Sequence, residues 1–121
     1  MDMLTSTRQT GDVTIVDISG KIALGEESAK LRNLVLDLLR EGHVKILLNL
    51  AEVHYIDSSG LGALVSAAAS VRKQNGELKL LKLTNKVKDV LQITKLYTVF
   101  DVAEDEAAAV KSFGQKTAAG A

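Results

Sequence analysis

The sequence predicts a single α/β domain with a mixed sheet, in which an antiparallel hairpin precedes parallel strands. Short aliphatic runs alternate with segments whose apolar residues recur every three or four positions, as in strands joined by amphipathic helices. The first two extended segments are adjacent, whereas the later ones are separated by helices, which favours right-handed crossovers and parallel pairing. With 121 residues, the whole of 1–121 is expected to form one domain with its own core.

The chain opens with a predicted hairpin. Met3–Gln9 alternates weakly between apolar and polar residues, Val13–Ser19 alternates more clearly, and the Gly-Asp pair between them suits a tight turn. The next segment, Gly20–Gly25, is predicted to be a loop in which the apolar pair Ile22 and Leu24 adds a short extended piece.

Four helices and three more strands are predicted after this loop. Glu26–Arg40 carries one continuous apolar face, acidic residues in its first turn and a glycine just beyond its end, all typical of a helix. Consecutive aliphatic residues at 44–50 indicate a central strand. The remaining predictions are a helix at about 61–74, a strand at 78–83, a helix capped by Thr84 or Asn85, a strand at 99–102, a helix at about 104–113 and a flexible polar tail at 115–121.

The composition argues against several classes of function. Lysine and arginine together number 15, as do aspartate and glutamate, and no basic cluster occurs, so direct binding of nucleic acid is not expected. Cysteine is absent and histidine occurs twice, so neither a metal site nor a cofactor is predicted. No apolar run reaches the ~18 residues of a membrane span and no signal peptide is evident, so the sequence predicts a cytoplasmic protein that does not contact the membrane.

The most informative segment is Asp57-Ser58-Ser59-Gly60-Leu61-Gly62, at the junction between the central strand and the second helix. Its two glycines weaken the first helical turn by roughly 2 kcal/mol relative to alanine, so a use for the bare backbone is expected. A helix start also offers unpaired N–H groups, which suit an anion or a capping side chain. Each of Asp57, Ser58 and Ser59 could be that cap. A catalytic site, a phosphate cradle and a modified switch therefore all remain open on this basis.

A serine hydrolase fits this segment poorly. The nucleophile elbow requires Gly-x-Ser-x-Gly, and with Ser58 at its centre the first glycine is replaced by Ile56. The general base would have to be His43 or His54, which lie before the central strand and near its end. No catalytic residue is therefore predicted.

Nucleotide-binding motifs are also incomplete. Gly20 and Gly25 have the spacing that opens a P-loop, but two glutamates follow where a lysine and a hydroxyl residue are needed. The segment that begins at Gly60 has the first two glycines of a dinucleotide motif, but Val65 replaces the third.

The segment 57–62 resembles the signature of bacterial anti-sigma-factor antagonists, which are single-domain members of the STAS superfamily. This resemblance extends over essentially 13–113 and includes 18–20, the 45–50 strand, 76–78 and 96–102, as well as the hairpin turn at 11–12. It implies a STAS-like mixed sheet with about four helices packed mainly on one face.

The resemblance also implies a function. It identifies Ser58 as the residue phosphorylated by a partner that is both a serine kinase and an anti-sigma factor. The unphosphorylated form would bind this partner and free the sigma factor, and a phosphatase would restore it. A bare turn would let the kinase approach the hydroxyl closely. The expected partner-binding residues are Asp57, Ser59, Gly60, Leu61, Gly62, Lys21, Ile22 and Ala23.

Two points about this function remain open. Ala23 stands where members of the family often carry an aspartate, which bears on partner contacts in the loop. The alternative function is that of a STAS scaffold or signalling adaptor that is not switched at Ser58.

Overall fold

Five strands form one sheet in the computed structural model, which describes residues 3–114. The elements in chain order are β1 (Leu4–Thr10), β2 (Val13–Ile22), α1 (Glu26–Arg40), β3 (Lys45–Ile56), α2 (Ser58–Lys73), β4 (Glu77–Leu81), α3 (Asn85–Ile93), a 3-10 turn (Tyr97–Val99), β5 (Asp101–Ala103) and α4 (Glu106–Ser112). The sheet order is β1-β2-β3-β4-β5. Because β1 pairs antiparallel with β2 and all later pairs are parallel, the predicted mixed sheet is confirmed.

The helices are divided unequally between the two faces of the sheet. Buried residues of α1, α2 and α3 share one aliphatic core with β2, β3 and β4. On the other face α4 contributes Ala109, which packs with Phe113 against a smaller group of strand residues, namely Val13, Ile15, Leu47 and Leu81. Three helices therefore lie on one face and one on the other, in agreement with the expected arrangement.

Helix boundaries follow the sequence pattern closely. Helix α1 has the predicted limits, and Thr84 is the residue that caps α3, since its hydroxyl accepts a hydrogen bond from the Val87 N–H. Asp105 caps α4 in the same manner. Among residues 3–114 no helix is both long and apolar enough to span a bilayer. The predicted flexible tail at 115–121 lies outside the described residues.

The main differences from the predicted elements lie around the candidate site. Strand β2 continues to Ile22, so the connecting loop contains only residues 23–25, and β3 continues beyond residue 50 to Ile56. Each extension supports the other, because β2 and β3 resume parallel pairing after two register shifts, up to the pair Ile22 and Ile56. Helix α2 consequently begins at Ser58, immediately beyond the end of the sheet. The last strand is also displaced, because a 3-10 turn occupies 97–99.

Candidate functional site

Asp57 is the residue that caps α2. Its backbone is extended, with φ −103° and ψ −174°, and its Oδ1 accepts a hydrogen bond of 2.9 Å from the Gly60 N–H. This bond satisfies one of the N–H groups that a helix start leaves unpaired. Of the three capping residues that the sequence allowed, the structure therefore selects Asp57.

The other Asp57 oxygen holds the neighbouring loop. Asp57 Oδ2 accepts a hydrogen bond of 3.0 Å from the Leu24 N–H, and Ser59 Oγ accepts one of 3.1 Å from the Gly25 N–H. The Ser59 hydroxyl in turn donates to Asp57 Oδ1 at 2.7 Å. We call Asp57 and Ser59, with these bonds to the loop, the clamp. It joins loop 23–25 to the first turn of α2.

The clamp also shifts the titration of Asp57. The N–H of Leu24, then the N–H of Gly60 and the Ser59 hydroxyl, all donate to the carboxylate and lower its pKa from an ordinary 3.8 to about 2. Hydrogen bonds to a carboxylate favour its charged form. Asp57 therefore stays ionised at every physiological pH and places a fixed negative charge beside Ser58.

The two adjacent serines differ in their environment. Ser59 is half-buried, and its Oγ also lies 2.9 Å from Ser28 Oγ, so its bonding capacity is largely used. Ser58 is exposed, and within residues 3–114 its hydroxyl makes no hydrogen bond with another group. A hydroxyl that is exposed and unbonded is available to a reagent from solution, whereas that of Ser59 is engaged in the clamp.

The two glycines have different roles. A Cβ on Gly60 would collide with the carbonyl oxygen of Ile22, whereas a Cβ on Gly62 would meet nothing within 4 Å. Gly60 is therefore required by close packing between α2 and β2, and Gly62 leaves open space on the exposed side of the first turn. The expected close approach of a kinase to a bare backbone is therefore possible only at Gly62, because Gly60 is buried.

The remaining predicted partner-binding residues fall into two groups. Leu61 is buried, as are Ile22 and Ala23, so their side chains belong to the core. Lys21 is exposed, and its Nζ lies 5.9 Å from the centroid of the half-exposed Tyr55 ring. Of the three predicted residues at 21–23, only Lys21 offers an accessible side chain.

Sequence reasoning places Leu24 in a second candidate contact surface, the loop 21–25, but does not predict its conformation. Its side chain is 81% exposed and its φ is 62°, a left-handed conformation that leucine rarely adopts. Gly25, which follows, has φ 61° and marks the sharp turn. Nothing in the local sequence indicates that the leucine would share this conformation, since the bonds that impose it come from residues 57 and 59.

The site lacks the arrangement of a hydrolase. His43 Nε2 lies 3.8 Å from Glu41 Oε1 and His54 Nε2 lies 3.9 Å from Glu52 Oε1, and in the described part of the chain neither ring hydrogen-bonds to Ser58. Residues 3–114 also contain no group of three histidine or acidic side chains that could hold a metal ion. The contacts that the structure shows at this site hold loop 23–25 against the first turn of α2, and the Ser58 side chain beside them is exposed.

The fold and this strand-to-helix junction define a STAS domain, and the chain belongs to the STAS domain family, whose model matches residues 5–109. Among curated proteins, it is 30% identical over 103 residues to the anti-sigma-B factor antagonist of Bacillus subtilis, a match that covers 85% of this chain and 93% of that protein. Relatives from Bordetella bronchiseptica and Listeria monocytogenes are matched over 63% and 59% of their own length. The resemblance stated from the sequence is confirmed.

Solved structures show the same fold. An anti-sigma factor antagonist from Mycobacterium paratuberculosis superposes with a TM-score of 0.80 at 16% identity, covering 94% of this chain and 96% of that chain. The Bacillus cell fate determinant SpoIIAA in its phosphorylated form gives a TM-score of 0.70 at 17% identity, covering 89% and 97%. At these identities the superpositions establish the architecture.

Proposed function

We propose that this protein is an anti-sigma-factor antagonist that is controlled by phosphorylation of Ser58. The unphosphorylated protein binds an anti-sigma factor that is also a serine kinase, and this binding frees a sigma factor for transcription. Phosphorylation of Ser58 by the same partner ends the binding, and a phosphatase restores the active form. The protein itself catalyses no reaction in this cycle.

The observation that carries the proposal is the contrast between Ser58 and its neighbour. The Ser58 hydroxyl is exposed and unbonded among the described residues, while the Ser59 hydroxyl is engaged with Asp57 and Gly25. A kinase that reaches this turn therefore has one available acceptor.

The relatives support the same role. The Bacillus subtilis relative is named an anti-sigma-B factor antagonist, and SpoIIAA, which shares the fold, has been solved in both unphosphorylated and phosphorylated forms. We extend to this chain the role named for these proteins.

The charge of a phosphoryl group explains how the modification would act. It adds about −1.5 to −2 charges at neutral pH. At the first residue of α2 the helix N–H groups stabilise these charges by roughly 0.3 to 1 kcal/mol. Repulsion from the ionised Asp57 offsets part of this stabilisation. In a desolvated interface an unmatched charge costs on the order of 2 to 5 kcal/mol. The modification therefore changes binding far more than it changes folding.

Incubation with the purified anti-sigma factor kinase of the source organism and ATP, followed by mass-spectrometric mapping of the modified residue, tests the proposal. We expect modification at Ser58, its loss in Ser58→Ala, and normal modification in Ser66→Ala. Ser66 is a matched control because it is an exposed serine on the same helix. A kinase that binds the protein but leaves Ser58 unmodified would favour a scaffold or adaptor that is not switched at this residue.

A further inference from the structure

We infer that Leu24 is an apolar anchor for the same kinase partner, held beside Ser58 by the clamp. This inference rests on the proposed function and assigns the partner a specific chemistry. The partner would carry an apolar pocket next to the active site that receives the Ser58 hydroxyl.

Among residues 3–114, Leu24 is the one apolar residue of the four non-glycine residues with a positive φ, and its side chain is highly exposed. Its side chain is 81% exposed, and its φ of 62° lies in the region that favours glycine. A leucine this exposed buries little apolar surface in the fold, and glycine or asparagine would suit the backbone better. Unfavourable conformations of this kind concentrate at functional sites, where the surrounding structure imposes them.

The surrounding structure does impose this conformation. The Leu24 N–H donates to Asp57 Oδ2 and the Gly25 N–H donates to Ser59 Oγ. The loop is further closed on its own side, because the Glu26 N–H donates to the Leu24 carbonyl oxygen. The backbone of Leu24 is therefore held in one conformation before any partner arrives, which reduces the backbone entropy lost on binding.

The clamp also fixes the position of Leu24 relative to the phosphorylation site. Its two residues, Asp57 and Ser59, are the residues on either side of Ser58, and each holds one amide of the loop. Because the clamp fixes the Leu24 backbone next to the turn that carries Ser58, we infer that a partner covering the Ser58 hydroxyl also contacts the exposed Leu24 side chain. The open space at Gly62 leaves the exposed side of the same turn free for that surface.

Ile93 provides a matched comparison. It is also an apolar side chain with 80% exposure, but it ends α3, which packs against β3 and the 3-10 turn. None of the clamp bonds involves α3, so Ile93 is assigned no role in binding.

The first test measures the dissociation constant for the purified kinase with variants of both positions. Leu24→Asn keeps nearly the same shape and suits the positive φ, so we expect an unchanged urea midpoint and affinity at least about tenfold weaker, because the buried apolar contact is lost. Leu24→Met should bind within about threefold of wild type, since it remains apolar. Ile93→Ala should bind like wild type.

Two results would overturn the inference. One is wild-type affinity in Leu24→Asn, and the other is equal weakening in Leu24→Met and Leu24→Asn. Should Leu24→Asn lower the urea midpoint, Leu24→Gly replaces it, because glycine adopts this backbone freely. If the wild-type protein is neither bound nor modified at Ser58, the proposed function fails and the anchor falls with it. If Ser58 is modified normally but substitution of Leu24 leaves the affinity for the kinase unchanged, only the role of Leu24 as an anchor is refuted.

A double-mutant cycle tests whether Ser59 acts through Leu24. Ser59→Ala frees the Gly25 amide, and we expect it to weaken kinase binding in the wild-type background but to add nothing once Leu24 is asparagine. Additive losses would contradict the role of the clamp. Amide hydrogen exchange gives an independent readout, because the Gly25 amide should exchange faster in Ser59→Ala while amides in the middle of α2 do not.

Discussion

Gly60 lies directly against the carbonyl oxygen of Ile22, with no room for a methyl group between the two backbones. The same oxygen accepts a hydrogen bond from the Asp57 N–H at 3.3 Å. The end of β2 and the beginning of α2 are therefore joined by backbone contact, and the loop between β2 and α1 is brought beside Ser58 as a consequence.

The two glycines of the site should respond oppositely to alanine. Gly60→Ala forces a methyl group against the Ile22 carbonyl and should lower the free energy of unfolding by about 1–3 kcal/mol. Gly62→Ala meets nothing within 4 Å on a helix and should raise it by about 0.5–1 kcal/mol. Urea denaturation of both variants measures the difference. Equal effects at the two positions would contradict the assigned packing.

Local sequence patterns predicted the elements that carry their own periodicity. The sequence predicts helix α1 with its observed limits because its apolar face is continuous. It also predicts the hairpin, because the turn lies between two segments of alternating apolar and polar residues. The extension of β3 to Ile56 was missed, since it depends on pairing with β2 beyond residue 50. The conformation of Leu24 was missed for a related reason, because it is imposed by side chains more than thirty residues further along the chain.

Asp57 should make stability depend on pH in acid. Its pKa is lowered from 3.8 to about 2 in the folded state, so its contribution is fully present above pH 3.8 and is lost as the pH falls toward 2. We expect wild type to be more stable than Asp57→Asn at pH 7 and the difference to shrink between pH 4 and pH 2. Urea melts across this range measure the difference. A carboxyl pKa near 3.8 in an NMR titration of the folded protein would refute the assignment.

Arg8 of β1 should link β1 to α4 and to the neighbouring strand β2, because Glu106 begins α4 and Asp17 lies in β2. Its guanidinium bonds to Asp17 at 2.7 Å and to Glu106 at 2.6 Å, and it lowers the pKa of both carboxyl groups. We expect Arg8→Met to cost about 1 kcal/mol of unfolding free energy at low salt, and less at high salt because the pairs are partly exposed. Arg40→Met is the control, since it breaks a single exposed pair with Asp37 and should cost at most about 0.5 kcal/mol.

Ser58 should control binding by charge while leaving the fold intact. Ser58→Ala removes a hydroxyl with no hydrogen bond within residues 3–114, so it should bind the anti-sigma factor within about threefold of wild type. Ser58→Asp places a second carboxylate beside the ionised Asp57 and should weaken binding by roughly thirtyfold or more. Calorimetric titration measures both affinities, and urea midpoints close to wild type verify folding. Equal affinities for the two folded variants would rule out a charge switch, because only the aspartate carries the negative charge on which the proposed release depends.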